Sequence, residues 1–291
     1  MDDEIHVTRP PHRGLKKGLY VIPTLFTAGN VAMGFLAVLW SVRGFHAAGT
    51  DALASAAYFD RAAIAMGLAI LFDTMDGRVA RATRTTTEIG VQFDSLADVL
   101  TFGIAPTTLM FCWAVAPSFP EGHVLYNVGI MLLFIYLMCG AFRLARFNLQ
   151  ATRPHVLEEG SGKADKKNFV GLPIPPAAGL LASIVHYSPA PLSAYAAGGR
   201  SQLYALLMYA LVVILGALMV SKIRYSSFKS AGAVRVNILV LLLIASVGMM
   251  IWFYSQYALL AVSIVYVGHG LVGWLYRSTL GRRRRTAEAP V

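Results

Sequence analysis

The sequence predicts an all-α, polytopic integral membrane protein with about eight transmembrane helices. Hydrophobic residues make up 56% of its 291 residues and charged residues only 14%, whereas a soluble domain carries about 25% charged residues. The mean hydropathy is +0.59. The charged residues occur in short clusters between apolar runs of about 20 residues, which is the length of helix that crosses a bilayer.

The composition excludes several other classes of protein. Disordered, collagen-like and disulfide-rich secreted chains all have different compositions. The net charge of +10 could favour nucleic acid, but basic residues of a membrane protein mostly set its orientation and contact anionic headgroups. We therefore expect no nucleic-acid partner. Cys112 and Cys139 lie inside apolar runs without metal-ligand spacing, and we interpret both as packing residues.

Eight apolar segments are candidates for membrane spans. The first is too long for a signal sequence and is kept as a span of the mature protein. The fifth begins among Pro173, Pro175 and Pro176 and is followed by Pro189 and Pro191, so seven spans are the alternative. The predicted spans are residues 19–41, 52–75, 92–116, 124–147, 173–188, 203–221, 234–254 and 257–276.

The basic residues predict how these spans are oriented. Of the 25 Lys and Arg residues, all but Arg43, Arg61 and Arg200 fall on one side of the eight-span arrangement. This bias predicts that both termini and the basic connections are cytoplasmic. The run Arg282–Arg285 is expected to anchor the orientation near anionic lipid. The loop over residues 151–168 is either a lid or an ordinary solvated connection.

Four carboxylates lie where the second and third spans meet. Asp73 and Asp76 are spaced i, i+3, and Asp94 and Asp98 are spaced i, i+4, so each pair lies on one face of its helix. A short connection, with Thr85–Glu88 as a possible capping box, makes the two helices antiparallel neighbours. We therefore expect all four carboxylates to converge on one pocket.

Clustered carboxylates in a medium of low dielectric constant need protons or cations, because like charges disfavour joint ionisation. An all-oxygen site without nearby His or Cys favours Mg²⁺ or Mn²⁺, and a pair of such ions suits phosphoryl chemistry. Arg78, Arg81 and Arg84 supply donors for phosphate oxygens, and Gly77 and Gly90 permit close approach of a ligand. The alternative is a structural Asp–Arg network that joins the two helices.

The spacing of eight of these residues resembles a known family. They match the motif D-x2-D-G-x2-A-R-x8-G-x3-D-x3-D of the CDP-alcohol phosphotransferases at Asp73, Asp76, Gly77, Ala80, Arg81, Gly90, Asp94 and Asp98. The resemblance implies an enzyme that transfers the phosphatidyl group of a CDP-linked lipid to an alcohol and releases CMP. It also implies a homodimer with its site open to the cytoplasm.

The same resemblance implies roles for the motif residues. Asp73, Asp76 and Asp94 would bind two divalent metal ions, and Asp98 would both complete the metal site and act as the base. The residues expected to line the pocket for the CDP moiety are Gly77, Ala80, Arg81 and Gly90. The expected organisation is a cytoplasmic N-terminal segment over 1–18, a transmembrane catalytic domain over 19–276 and a basic cytoplasmic tail over 277–291, in a bacterial-type inner membrane.

Four further segments resemble the phosphatidylserine synthase branch of that family, which uses CDP-diacylglycerol and L-serine. They are IPTLFTAGN, AFRLARFNLQ, NFVGLPIPPAAG and SKIRYSSFKS. Thr24 departs from the branch, which often has Asn after this proline. Serine needs cationic or amide donors for its carboxylate, and the residues that offer them on the expected side are Arg143, Arg146, Asn148, Arg224 and Lys229.

Several alternatives stay open at this stage. Each basic residue of that set could be the ordinary basic flank of a span, and glycerol phosphate or inositol phosphate would need similar cations. An ion-coupled transporter could use the four Asp residues for its coupling ion, although such proteins commonly show repeat symmetry. A scaffold protein would leave the acidic cluster unexplained. His155, His186 and His269 have no assigned role.

Overall fold

The computed structural model describes residues 13–83, 88–152, 168–195, 200–226 and 238–287. For some residues within these ranges, including Arg81 and Arg224, only the backbone is described. The helices are α1 (Arg13–Ala47), α2 (Ala52–Thr83), α3 (Glu88–Asp98), α4 (Ala105–Met110), α5 (Ala116–Ser118), α6 (Val124–Thr152), α7 (Ile174–Tyr187), α8 (Arg200–Val220) and α9 (Ile238–Ala287). A short 3₁₀ helix covers Leu192–Tyr195.

The predicted all-α class is confirmed, with one small addition. Two strands of three residues, β1 (Asn168–Val170) and β2 (Arg224–Ser226), pair antiparallel with Phe169 opposite Tyr225. Gly171 follows β1 with a φ of 82°, and its N–H donates to the Ile223 carbonyl at 2.8 Å. Glycine suits this position because residues that have a side chain rarely adopt a positive φ.

Within the described ranges, six helices are long and apolar enough to cross a membrane, which makes the chain an integral membrane protein. They are Thr24–Ala47, Ala52–Ala80, Ile89–Ser118, Val124–Leu149, Arg200–Val220 and Phe253–Gly273. These correspond to the predicted first, second, third, fourth, sixth and eighth spans. α1 begins at Arg13, inside the segment 1–18 that was expected to precede the first span.

The other two predicted spans have a different outcome. The fifth is α7, whose 14 residues are fewer than the roughly 20 that cross the hydrocarbon. The predicted seventh and eighth spans lie in the single 50-residue α9, which is interrupted by non-helical dihedral angles at Tyr254. That interruption coincides with the predicted boundary between them. A total of eight spans therefore stays a prediction.

The third span is one helical rod in which α3, α4 and α5 are joined by two π-helical segments, Val99–Ile104 and Phe111–Val115. Pro106 follows the first of these and has no N–H to donate to the Phe102 carbonyl four residues earlier. The hydroxyl of Tyr136, in α6, is 3.5 Å from that carbonyl. Because π-helical turns often occur at functional sites, it is notable that the first one starts directly after Asp98.

Helices α1 and α2 form a close antiparallel pair that holds the third span. The turn between them is capped by Asp51, whose carboxylate accepts from the Ala54 N–H at 2.9 Å. Gly34 lies so near the third span that a Cβ there would be 2.7 Å from Thr101 Oγ1. A glycine therefore lets the two backbones approach closely at this level, just below the acidic residues.

Candidate metal and nucleotide site

The motif aspartates lie on two antiparallel helices, Asp73 and Asp76 on α2 and Asp94 and Asp98 on α3. The link over residues 84–87, with Thr85 of the predicted capping box, lies outside the described residues. α3 begins at Glu88, soon after α2 ends at Thr83. Such a short link between two helices fits an antiparallel pair. The helical spacing brings each carboxylate of α2 opposite a carboxylate of α3.

Three of the four carboxylates form one compact group. Asp73, Asp76 and Asp94 each offer an oxygen atom, and these atoms all lie within 4.8 Å of one another. Asp98 is outside this group of three and lies one helical turn deeper, where its carboxyl group contacts that of Asp73. The carboxyl groups of Asp94 and Asp76 make a similar contact. Carboxyl groups approach so closely only when they share protons or a cation.

The donor set fits a hard divalent cation. The oxygens come from carboxylates alone, and Asp76 is only 5% exposed. Buried oxygens of Asp94 and Asp98 have no hydrogen-bond partner among the described residues. Buried polar atoms are nearly always satisfied, so these two oxygens indicate a ligand, and all-oxygen coordination is what Mg²⁺ and Mn²⁺ prefer.

The first helix contributes a contact that the sequence did not identify. Thr27 Oγ1 donates a hydrogen bond of 2.9 Å to Asp76 Oδ2. One turn further along α1, the fully buried Asn30 has neither amide atom partnered within the described structure, and its backbone carbonyl accepts from Thr101. The available signal was the i, i+3 spacing of two polar residues inside an apolar run, which places both on one helix face.

The predicted donors on α6 separate into different environments. Arg143 is partly buried, interacts electrostatically with Asp98, and has a buried Nε without a hydrogen-bond partner among the described residues. Arg146 lies three residues further along the same helix. The Asn148 amide donates to Ser95 Oγ at 2.7 Å, and the two residues line a groove with Gln92 and Ala145 rather than with the motif aspartates.

The remaining predicted residues are only partly described. Gly77 and Ala80 lie on α2 and Gly90 lies on α3, all within about two turns of a motif aspartate. The side chains of Arg81 and Arg224, and the whole of Lys229, lie outside the described residues. Most of the predicted loop 151–168 is outside them too.

Comparison with known proteins agrees with this geometry. The family model for CDP-alcohol phosphatidyltransferase matches residues 20–197, which include all four aspartates. The chain belongs to the CDP-alcohol phosphatidyltransferase family. Enzymes of this family use divalent metal ions, which agrees with the all-oxygen donor set.

Curated relatives extend over most of the chain. A Helicobacter pylori protein named CDP-diacylglycerol–serine O-phosphatidyltransferase is 30% identical over 89% of this chain and 92% of its own length. A Bacillus subtilis protein of the same name is 29% identical over 73% of this chain and 93% of its own. The archaetidylserine synthase of Methanothermobacter thermautotrophicus is 32% identical over 73% of this chain and 72% of its own.

Proposed function

We propose that this protein transfers the phosphatidyl group of CDP-diacylglycerol to the hydroxyl of L-serine and releases CMP. The observation that carries the proposal is the acidic group on α2 and α3, with its buried unpartnered oxygens, inside a family match. The names of the curated relatives support serine as the acceptor. Arg143 fits this acceptor without distinguishing it from others, because a partly buried guanidinium next to the site can bind a carboxylate as well as a phosphate.

Asp73, Asp76 and Asp94 would hold the divalent metal, with two ions expected when the donor is bound. When bound, the metal supplies charge stabilisation for the pyrophosphate and its leaving group. Thr27 fixes one oxygen of Asp76 and so orients this carboxylate. Gly77, Ala80, Arg81 and Gly90 would line the pocket for the CDP moiety, as the motif implies.

We assign Asp98 as the general base, since its carboxylate lies outside the three-oxygen group and has an unused buried oxygen. Asp98 accepts the proton of the serine hydroxyl, and the oxygen attacks the phosphorus that bears the lipid. The bond from that phosphorus to the CMP oxygen breaks, and CMP leaves. Arg143, with Arg146, Asn148, Arg224 and Lys229 as further donors, would bind the serine carboxylate or phosphate oxygens.

The orientation and assembly belong to the same proposal. The acidic group lies at the ends of α2 and α3 beside Arg78, on the side rich in basic residues, and the positive-inside rule favours a cytoplasmic site. Both termini would then be cytoplasmic in a bacterial-type inner membrane. The division into segment 1–18, catalytic domain 19–276 and tail 277–291 follows from this orientation, and a homodimer is expected from the family.

The test is CMP release from CDP-diacylglycerol by purified protein with Mn²⁺ or Mg²⁺. Serine, glycerol phosphate, inositol phosphate and no acceptor are compared, with Asp98→Asn alongside. Asp51→Asn is the matched control, because this carboxylate caps α2 away from the site and Asn caps equally well. We expect serine-dependent CMP release that Asp98→Asn abolishes. Release that prefers another acceptor would contradict serine, and release without any acceptor would contradict direct transfer.

A further inference from the structure

Asn30 is a fully buried polar residue of α1 whose side chain is unsatisfied. Neither the nitrogen nor the oxygen of its carboxamide has a hydrogen-bond partner among the described residues. Ser41 is equally buried on the same helix, but its hydroxyl donates to the Ala37 carbonyl at 2.7 Å. Burial of a carboxamide without hydrogen bonds is unfavourable, and buried polar atoms are nearly always satisfied. The carboxamide of Asn30 therefore indicates a polar ligand.

Contacts of α1 place Asn30 just below the acidic residues. Its backbone carbonyl accepts from Thr101 Oγ1 at 3.3 Å, and Thr101 lies three residues after Asp98 on the third span. α1 and the third span run in the same direction, because α2 is antiparallel to both. Three residues earlier on α1, Thr27 is therefore level with Asp98, and its hydroxyl donates to Asp76. Asn30 lies about one turn deeper, a rise of roughly 5 Å along the helix.

The packing around this position joins α1 to both helices that carry the motif aspartates. On the α2 side, a Cβ on Gly29 would lie 3.4 Å from the ring of Phe72, which precedes Asp73. Side chains of a helix lean toward its N-terminus, and for α1 this is the direction of Thr27. The carboxamide of Asn30 thus leans toward the acidic group. Because it bonds none of the carboxylates directly, an intervening molecule has to connect them.

We propose that Asn30 is a positioning residue of the metal site, whose carboxamide hydrogen-bonds a water molecule in the hydration shell of the divalent cation. This inference rests on the proposed function. Mg²⁺ gives up its water reluctantly and usually keeps several molecules when carboxylates bind it. Groups that orient the ligands of a metal ion raise its affinity. Thr27 would orient a carboxylate and Asn30 a water molecule, so α1 supports the metal site without supplying a ligand.

The test measures Mn²⁺ affinity and metal-free stability of purified Asn30→Leu protein. Leu is similar in shape to Asn but forms no hydrogen bonds. We expect the Mn²⁺ affinity, measured by electron paramagnetic resonance, to fall about 10–100-fold, the effect of losing a group that orients a metal ligand. The thermal midpoint of the metal-free protein should stay the same or rise, because an apolar group replaces an unsatisfied amide. Unchanged Mn²⁺ affinity would overturn the inference, whatever the thermal midpoint.

A second variant, Asn30→Asp, decides the case in which Leu disturbs the packing. It keeps the size of the side chain and adds a negative charge. The charge should lower the thermal midpoint of the metal-free protein, and Mn²⁺ should raise this midpoint by more than it does in the wild type, because the cation neutralises the added charge. If Mn²⁺ raised both midpoints equally, Asn30 would not face the cation and the inference would fail.

The control variant is Ser41→Ala, which removes an equally buried polar group from the same helix. Because the Ser41 hydroxyl is satisfied by its own helix, we expect wild-type Mn²⁺ affinity. Reduced affinity in this variant as well would assign the loss to the packing of α1 and contradict a specific role for the carboxamide.

The failure of this inference is distinguishable from the failure of the proposed function. Wild-type protein that binds no Mn²⁺ would refute the metal site itself. Wild-type protein that binds Mn²⁺ and releases CMP, beside an Asn30→Leu variant of equal Mn²⁺ affinity, would refute only the role of Asn30.

Discussion

The two ends of α2 place polar residues in the apolar environment of a membrane in opposite ways. At one end, Asp60 Oδ1 is 2.6 Å from His186 Nδ1, and His186 Nε2 is 2.9 Å from Ser255 Oγ. This chain of hydrogen bonds joins α2, α7 and α9 next to the α9 interruption at Tyr254. Each of these three side chains therefore has a hydrogen-bond partner within the chain.

The polar side chains at the other end of α2 do not satisfy one another's hydrogen-bonding groups. Asp73 and Asp76 lie against further carboxylates, and buried oxygens of Asp94 and Asp98 have no partner in the part of the chain that the structure describes. Burial of unsatisfied or like-charged groups is unfavourable. The comparison shows that hydrogen-bond satisfaction, rather than polarity alone, separates a network that stabilises the helices from a site that binds a ligand.

The largest effect is expected for Asp76→Asn. This change removes a metal-binding charge at the acidic end, and we expect CMP release to fall by about 10³-fold or more, as for the loss of one key electrostatic group in an active site. Stability should not fall, because repulsion between carboxylates is relieved. CMP release and thermal unfolding measure both effects, with Asp51→Asn as control. Retained activity would show that the acidic residues at this end of α2 have only a structural role.

At the other end we expect the opposite outcome from His186→Ala. Loss of the imidazole leaves Asp60 and Ser255 without this partner, which should cost about 1–3 kcal/mol of stability. CMP release per folded molecule should change less than twofold. Thermal unfolding of the variant is compared with His46→Ala, because His46 is exposed at the end of α1. A loss of activity at unchanged stability would give this network a catalytic role and remove the contrast.

A smaller effect is expected for Thr27→Val, which keeps the side-chain shape but removes the hydrogen bond to Asp76. We expect kcat to fall about tenfold, because one charge-assisted hydrogen bond no longer orients the carboxylate. Thr27→Ser retains the hydroxyl and should restore most of the activity. Equal losses in both variants would indicate a packing role for Thr27.

The sequence predicted those parts of the fold and the site that depend on local spacing. Helical periodicity was sufficient to place Asp73 with Asp76 and Asp94 with Asp98, and a short link made their helices antiparallel. The direction of that pairing sets Asp76 opposite Asp94 and Asp73 opposite Asp98. Six spans were located because a run of apolar residues is itself a local signal.

The features that sequence reasoning missed depend on contacts between distant segments. Thr27 and Asp76 are 49 residues apart, and His186 and Asp60 are 126 residues apart. No periodicity within one helix reveals such partners. α7 proved shorter than a span because prolines limit a helix at both ends.

The most direct test of the acidic group as a metal site is Mn²⁺ binding to the purified protein, measured by electron paramagnetic resonance. We expect saturable binding by the wild type that Asp76→Asn abolishes and Asp60→Asn leaves intact. This pair compares the same substitution at the two ends of one helix. Equal binding by both variants, or no binding by the wild type, would contradict the assignment of the acidic group as the metal site.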